Sequence, residues 1–252
     1  MNFGDLLGKH TNVLVGVTTT TSNKHYLDKC IEGVRKCVSG FDHAILIINF
    51  GSRNIEKPDG TLGVIHKPNS GFCKNMNLFI NAACSMEAEY LFYLNDDAIP
   101  HPDFLRNAIE YKDTFVGGTQ QKGGWLEQIT DKSKPPEPKV GFHRIVDLRK
   151  LNWEFSCCVF PANVIKQVGY FDEYFDPTGY IADNDYLLRM KKLGIETIRA
   201  EDCTFWHGKG ITQIQHRNPL GNDPVRTRAL KRFKRKWNLD LESETMITCE
   251  DL

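Results

Sequence analysis

Tyr90-Leu91-Phe92-Tyr93-Leu94 runs directly into Asn95-Asp96-Asp97, and the fold turns on how this stretch is read. An apolar run rich in aromatics and Leu reads as a buried strand. Two adjacent carboxylates at its end stand at the rim of a sheet, where α/β folds bind ligands. Hard divalent cations prefer carboxylate oxygens, and a cation held there can in turn hold a diphosphate. A metal–nucleotide site is one reading. A solvated turn is the other, because Asp and Asn favour turns and Pro100 follows closely. On this segment alone the two stand level.

Upstream, strands and helices alternate. Residues 12–17 (NVLVGV) form an apolar strand followed by the polar turn Thr18 to Ser22. Leu27, Ile31, Val34 and Val38 recur at helical spacing. Residues 44–48 and 62–66 are further strands, and Met76, Phe79, Ile80 and Ala83 line one face of a helix over 75–83. This rhythm predicts an α/β fold with a mainly parallel central sheet flanked by helices. The glycines follow neither G-x-G-x-x-G nor the phosphate-loop pattern, so a metal bridge is the alternative means of holding a diphosphate.

Downstream, Gly117-Gly118, Gly123-Gly124 and Lys134-Pro135-Pro136-Glu137-Pro138 break the pattern. Residues 117–152 read as a flexible loop, either a lid over a substrate or a surface insertion. Order returns with a strand over 155–160, helices over 162–168 and 186–193, strands over 195–200 and 204–206, and a final helix over 225–237.

The chain has 252 residues, 40% hydrophobic and 25% charged, with no net charge, as expected for a globular domain with no overall preference for polyanions. The charge is uneven. Arg226 to Lys236 holds seven Lys/Arg and no acid, which leaves the remainder with 25 basic against 32 acidic residues. None of the eight cysteines forms a C-x-x-C pair, and reduced thiols point to the cytoplasm. No apolar run reaches membrane-spanning length.

Three more segments carry chemistry. In Asn69-Ser70-Gly71-Phe72-Cys73-Lys74-Asn75-Met76-Asn77, a Gly turn opens a helix among amides and a Lys, which suits an anion or an ordinary helix start. Gly169-Tyr170-Phe171-Asp172-Glu173 precedes Asp183-Asn184-Asp185 and Arg189. The acids there are either N-terminal charges of a helix or, for one of them, a general base. Phe205-Trp206-His207-Gly208 offers a His that is either structural or a metal ligand.

Taken in order, these blocks resemble a family 2 glycosyltransferase of the GT-A fold, over residues 13 to 237. Val15-Gly16-Val17-Thr18-Thr19 resembles the first strand and nucleotide loop. Ile47-Ile48-Asn49-Phe50-Gly51-Ser52 resembles the V-D-N-G-S block, Asn69 to Asn77 the N-x-G-F…A-x-N block, and Leu94 to Asp97 the D-x-D block. Residues 169–173 with Asp183 to Asp185 and Arg189 resemble the G-x-F-D-E…E-D-x-D…R block. The resemblance implies a single domain, with a nucleotide-binding half over 1–97 and an acceptor half over 98–252. It also implies a smaller acceptor-side sheet and a C-terminal helix. By the same resemblance Asp183 is the catalytic base and Asp97 and His207 hold a Mn or Mg ion. Thr18, Thr19, Asn49, Gly71, Lys74, Asn77, Asn95 and Asp96 line a UDP- or GDP-sugar. Trp153, Asp185 and Arg189 lie on the acceptor side. The implied reaction is inverting transfer from a nucleotide sugar to a hydroxyl of a glycan, a lipid-linked sugar or modified DNA. Asn49, Ala182 and Asn95 depart from the usual Asp, Glu and Asp.

The helix over 225–237 carries Val225, Leu230, Phe233 and Trp237 as one apolar stripe. It reads first as a docking helix with a solvated face. Its second reading is a patch for an anionic partner such as DNA or lipid, which transfer to hydroxymethylated bases would need. A nucleotidyltransferase would need a Gly-rich loop where Thr18 to Ser22 stands, and a silent glycan-binding module would have lost Asp96, Asp97, Asp183 or Asp185.

Overall fold

The computed structural model describes residues 10–20, 24–120, 142–144, 155–176, 179, 181–207 and 224–239. Its strands are β1 (Val13–Thr19), β2 (His43–Asn49), β3 (Gly63–His66), β4 (Tyr90–Asn95), β5 (Ala98–Pro100), β6 (Phe115–Gln120), β7 (Phe142–Arg144), β8 (Cys157–Pro161) and β9 (Thr197–His207). Its helices are α1 (Lys24–Cys37), α2 (Phe72–Ser85), α3 (Phe104–Ile109), α4 (Ala162–Val168), α5 (Ala182–Lys192) and α6 (Pro224–Trp237). Among the described residues the strands form one sheet in the order β3-β2-β1-β4-β8-β6-β9-β5, with β7 on β9.

The first four strands are parallel. Every residue of β1 is buried, because helices cover both faces of a parallel sheet and leave no polar side to alternate with. Val13, Val15 and Val17 point to α1 and α3, packing with Leu27, Ile31, Val34 and Leu105. Leu14 points the other way, into a core shared by Met76 and Phe79 of α2, Leu187 of α5 and Phe233 of α6. The result is a three-layer α/β fold of the kind the alternating pattern predicts.

Beyond β4 the sheet becomes mixed. β8 is antiparallel to β4 and β6, β6 is parallel to β9, and β5 and β7 lie antiparallel on β9. The smaller second sheet expected from the resemblance is not separate among the described residues: β5 and β7 on β9 are hydrogen-bonded into the main sheet through β6. The sequence reads β9 as two strands. It is one, with a register jump from Gly118↔Ala200 to Thr119↔Thr204. The bulge carries Glu201-Asp202 out of the ladder, where the Asp202 carboxylate accepts from the Tyr111 hydroxyl at 3.1 Å, while Cys203 stays fully buried.

Residues 117–120, read from their glycines as the start of a loop, are the end of β6. Gly118 serves packing there: a Cβ would sit 2.6 Å from the Phe104 ring and 2.7 Å from that of Phe205. The rest of the 117–152 loop, apart from β7, and Trp153 lie outside the described residues. No helix among the described residues is long and apolar enough to cross a membrane.

Candidate active site

The parallel strands end together. Thr18 is in register with Asn95, and Thr19 with Asn49, so the C-terminal rim gathers polar side chains from β1, β2 and β4. A chain of hydrogen bonds links three of them. The Tyr93 hydroxyl donates to Asn95 Oδ1 at 2.8 Å, so Thr18 Oγ1, 2.9 Å away, supplies the proton between it and Tyr93. Asn95 Nδ2 continues to Ser156 Oγ at 3.3 Å. An amide at position 95 serves this chain by accepting and donating at once. Burial pushes the Tyr93 phenol up, against the hydrogen bond from Thr18, and the group remains a proton donor.

The two acids of the doublet face different partners. Asp96 Oδ2 accepts from Thr19 Oγ1 at 2.6 Å, and the Asp96 N–H donates to the Thr18 carbonyl at 3.1 Å. Asp97 Oδ1 stands 3.2 Å from His207 Nε2. The fold explains this pair: β5 follows Asp97 immediately and lies antiparallel on the end of β9, with Ala98 opposite His207. Asp97 and His207 are 6% and 7% exposed, a buried oxygen and nitrogen donor at one point of the rim. Two cis ligands of an octahedral cation at about 2.1 Å lie about 3 Å apart, so the observed spacing fits a shared divalent ion. Among the described residues no third His, Cys, Asp or Glu joins them, and the remaining ligands would come from substrate or water.

Asp183, the second residue of α5, is half-buried, and its Oδ2 accepts from the Phe155 N–H at 3.1 Å. The next residue, Ser156, binds Asn95 through its carbonyl as well as its hydroxyl. Residues 155–156 therefore tether the candidate base to the strand that carries the doublet. Ile181, which precedes this helix, has φ of 70°. A β-branched residue in the left-handed region is strained, and such strain gathers at functional sites.

The helix opening at Gly71 receives an anion from within the chain. The Asp176 carboxylate accepts from the Cys73 N–H at 2.8 Å and the Lys74 N–H at 3.1 Å. A Cβ on Gly71 would lie 2.1 Å from that carboxylate, so the glycine admits the acid. Asn77 is a latch: its amide donates to the Phe171 carbonyl and accepts from the Phe171 N–H at 2.7 Å. Asn49 is fully buried and organises the turn after β2, accepting from the Gly51 N–H and donating to the Arg53 carbonyl.

Asp185 is fully buried, with one oxygen on Arg189 at 3.1 Å and the other on Trp237 Nε1 at 2.9 Å and Lys236 Nζ at 2.7 Å. Arg189 also donates to the carbonyls of Val168 and Tyr170. Of these two residues, both expected on the acceptor side, Asp185 fastens α6 to α5 and Arg189 ties α5 to the turn after α4. Asp172 adds a second fastening, to Lys236 at 3.0 Å and Arg232 at 3.5 Å. Burial would raise its carboxyl, but the hydrogen bonds from Lys236 and the Tyr174 N–H and the two cations outweigh that and hold it below its ordinary value.

Sequence reasoning passed over Tyr93, Ser156 and Asp176. Period-two alternation puts Tyr93 on the face of Asn95, a signal within the strand. Ser156 and Asp176 act across long separations and leave no local mark.

No family model matches the chain, and no curated sequence matches it. Solved structures share its fold. S. aureus TarS 1-349 aligns over 89% of this chain and 72% of that one, with 15% identity and a TM-score of 0.51. A mannosyltransferase from Pyrobaculum calidifontis, PcManGT, solved in complex with GDP-Man and Mn2+, aligns over 80% of this chain with 12% identity and a TM-score of 0.54. This chain spans 58% of the length of that protein. The GT-A-like fold expected from the sequence is the fold observed.

Proposed function

We propose that the chain is an inverting, cation-assisted glycosyltransferase of the family 2 kind, which moves a sugar from a nucleotide-diphosphate sugar to an acceptor hydroxyl. The observation that carries this reading is the buried Asp97–His207 pair, 3.2 Å apart, at the strand-end rim of this fold. The mannosyltransferase of like fold holds GDP-Man and Mn2+, which supports a nucleotide sugar and a divalent cation as the ligand classes here. Asp97 and His207 would hold the cation. When bound, it would supply Lewis-acid stabilisation of charge on the departing diphosphate.

The chain's own residues do the rest. Thr18, Thr19, Asn49, Asn95 and Asp96 set the polar rim for the nucleotide. Gly71, Lys74 and Asn77 contribute by seating the 171–176 segment through Asp176 and Phe171. Asp183 takes the proton of the acceptor hydroxyl as its oxygen bonds to the anomeric carbon. The carbon–oxygen bond to the diphosphate breaks, and its electron pair leaves with the nucleoside diphosphate. In this reading residues 1–97 form the donor half and 98–252 the acceptor half of one domain. The free cysteines among the described residues support a reducing, cytoplasmic setting.

A thermal-shift screen of UDP-, GDP-, CMP- and dTDP-sugars with and without Mn tests the reading. One nucleotide should stabilise the wild type in a Mn-dependent way, and Asp97→Ala and His207→Ala should lose the Mn-dependent part. Equal shifts with and without Mn in all three proteins would remove the cation from the mechanism.

A further inference from the structure

We infer that the cleft between α6 and the turn at Glu173–Phe175 is an anion site that binds phosphate groups of a soluble acceptor; the word acceptor rests on the transferase reading above. The cleft has a volume of about 290 Å³, and Arg228, Lys231, Arg232 and Arg235 line it. Among the described residues Asp176 is the one acid in its wall, and both oxygens of that acid already face the N–H groups of α2. Four cations around one concavity repel one another, and an anion between them relieves that repulsion.

The cleft is built as well as charged. The Arg232 guanidinium lies 4.1 Å over the Tyr174 ring, and its Nη2 stands 3.5 Å from Asp172, so this side chain is held in place. Its Nε is closed to solvent and does not itself face the cleft, but a fixed guanidinium suits phosphate oxygens through its remaining edge. Arg228, Lys231 and Arg235 are exposed around it. The Tyr174 ring, 62% exposed, offers an apolar face to a sugar or linker beside the phosphate.

Position ties the cleft to the chemistry. Lys236 and Trp237 of α6, the helix that lines the cleft, bind Asp185 in the first turn of α5, two residues after Asp183. The cleft therefore lies on a helix fastened beside the candidate base. A flat bilayer fits a concavity poorly, and the described outer side chains of α6 are polar or charged. Duplex DNA needs an extended basic stripe, yet Lys236 and Arg232 are held by Asp172 and Asp185.

The test is calorimetric titration of inorganic tripolyphosphate at low salt in EDTA, which keeps divalent cations from the donor site. Wild type should bind, and R228Q/K231Q/R235Q, which alters only exposed side chains, should bind at least tenfold more weakly with an unchanged melting temperature. Asp97→Ala should bind like wild type, and the triple variant should keep the Mn-dependent nucleotide shift, so failure of the cleft and failure of the donor site read separately. Equal binding by wild type and triple variant, no binding by either, or loss in Asp97→Ala would overturn the inference. So would uptake by phosphatidylglycerol vesicles or duplex DNA without uptake of tripolyphosphate.

Discussion

Asp183→Asn separates chemistry from structure at the candidate base. The amide keeps an oxygen for the Phe155 N–H, now 3.1 Å from Oδ2, so the tether to residues 155–156 survives. The stability lost should stay within about 1.5 kcal/mol for a weakened hydrogen bond, plus about 0.3–1 kcal/mol for removing a negative charge from the first turn of α5. The catalytic loss is larger. A positioned general base contributes about 10²–10⁴-fold, or about 2.7–5.4 kcal/mol of barrier. Donor binding should be unchanged, because Asp97, His207 and the strand-end residues are untouched. The assay is steady-state release of nucleoside diphosphate, using the donor found in the thermal-shift screen, with Kd for that donor measured separately. The acid limb of the wild-type pH profile should vanish in the variant. A kcat within about tenfold of wild type, in a protein that melts normally, falls outside the range for a general base and would refute the role.

Two further outcomes probe the junction of α5 and α6. Asp185→Ala leaves Arg189 and Lys236 around an empty buried site, and breaking such a cluster costs about 3–5 kcal/mol; urea unfolding with an unchanged slope should show it, and a loss below about 1 kcal/mol would contradict the fastening role. Asp172 has a depressed folded-state carboxyl, so its contribution is present above the unfolded value of about 3.9 and lost as pH falls through the lower folded value. Melting temperatures of wild type and Asp172→Asn should therefore converge on acidification below about pH 4, and parallel curves would show that Asp172 is not held by α6.

The parallel half of the fold was legible because its signals are local. In β1, β2 and β4 an apolar run ends in a polar residue, and the register of Thr18 with Asn95 and Thr19 with Asn49 then assembles a rim without any loop. The mixed half was less legible. β5 has three residues, too few for periodicity to show, yet it brings His207 to Asp97. Gly117-Gly118 look like a breaker until the Phe104 and Phe205 rings that press on Gly118 are known.

The acids show where block-by-block reading stops. Asp97, Asp176, Asp183 and Asp185 all sit in or near segments that read as ligand-binding, and composition does not rank them. Their partners do. Asp176 is bound by two α2 N–H groups and Asp185 by cations and an indole, so both are anchors that join α2, α5 and α6. Asp97 meets a neutral-or-cationic imidazole at ligand spacing, and Asp183 meets a backbone N–H beside a strained residue. A carboxylate that bridges separate elements holds them together, which is the part of Asp176 and Asp185; the proposed chemistry is assigned to Asp97, at ligand spacing from His207, and to Asp183. The basic helix has its inner charges answered by Asp172 and Asp185, and the proposed anion would meet the exposed Arg228, Lys231 and Arg235.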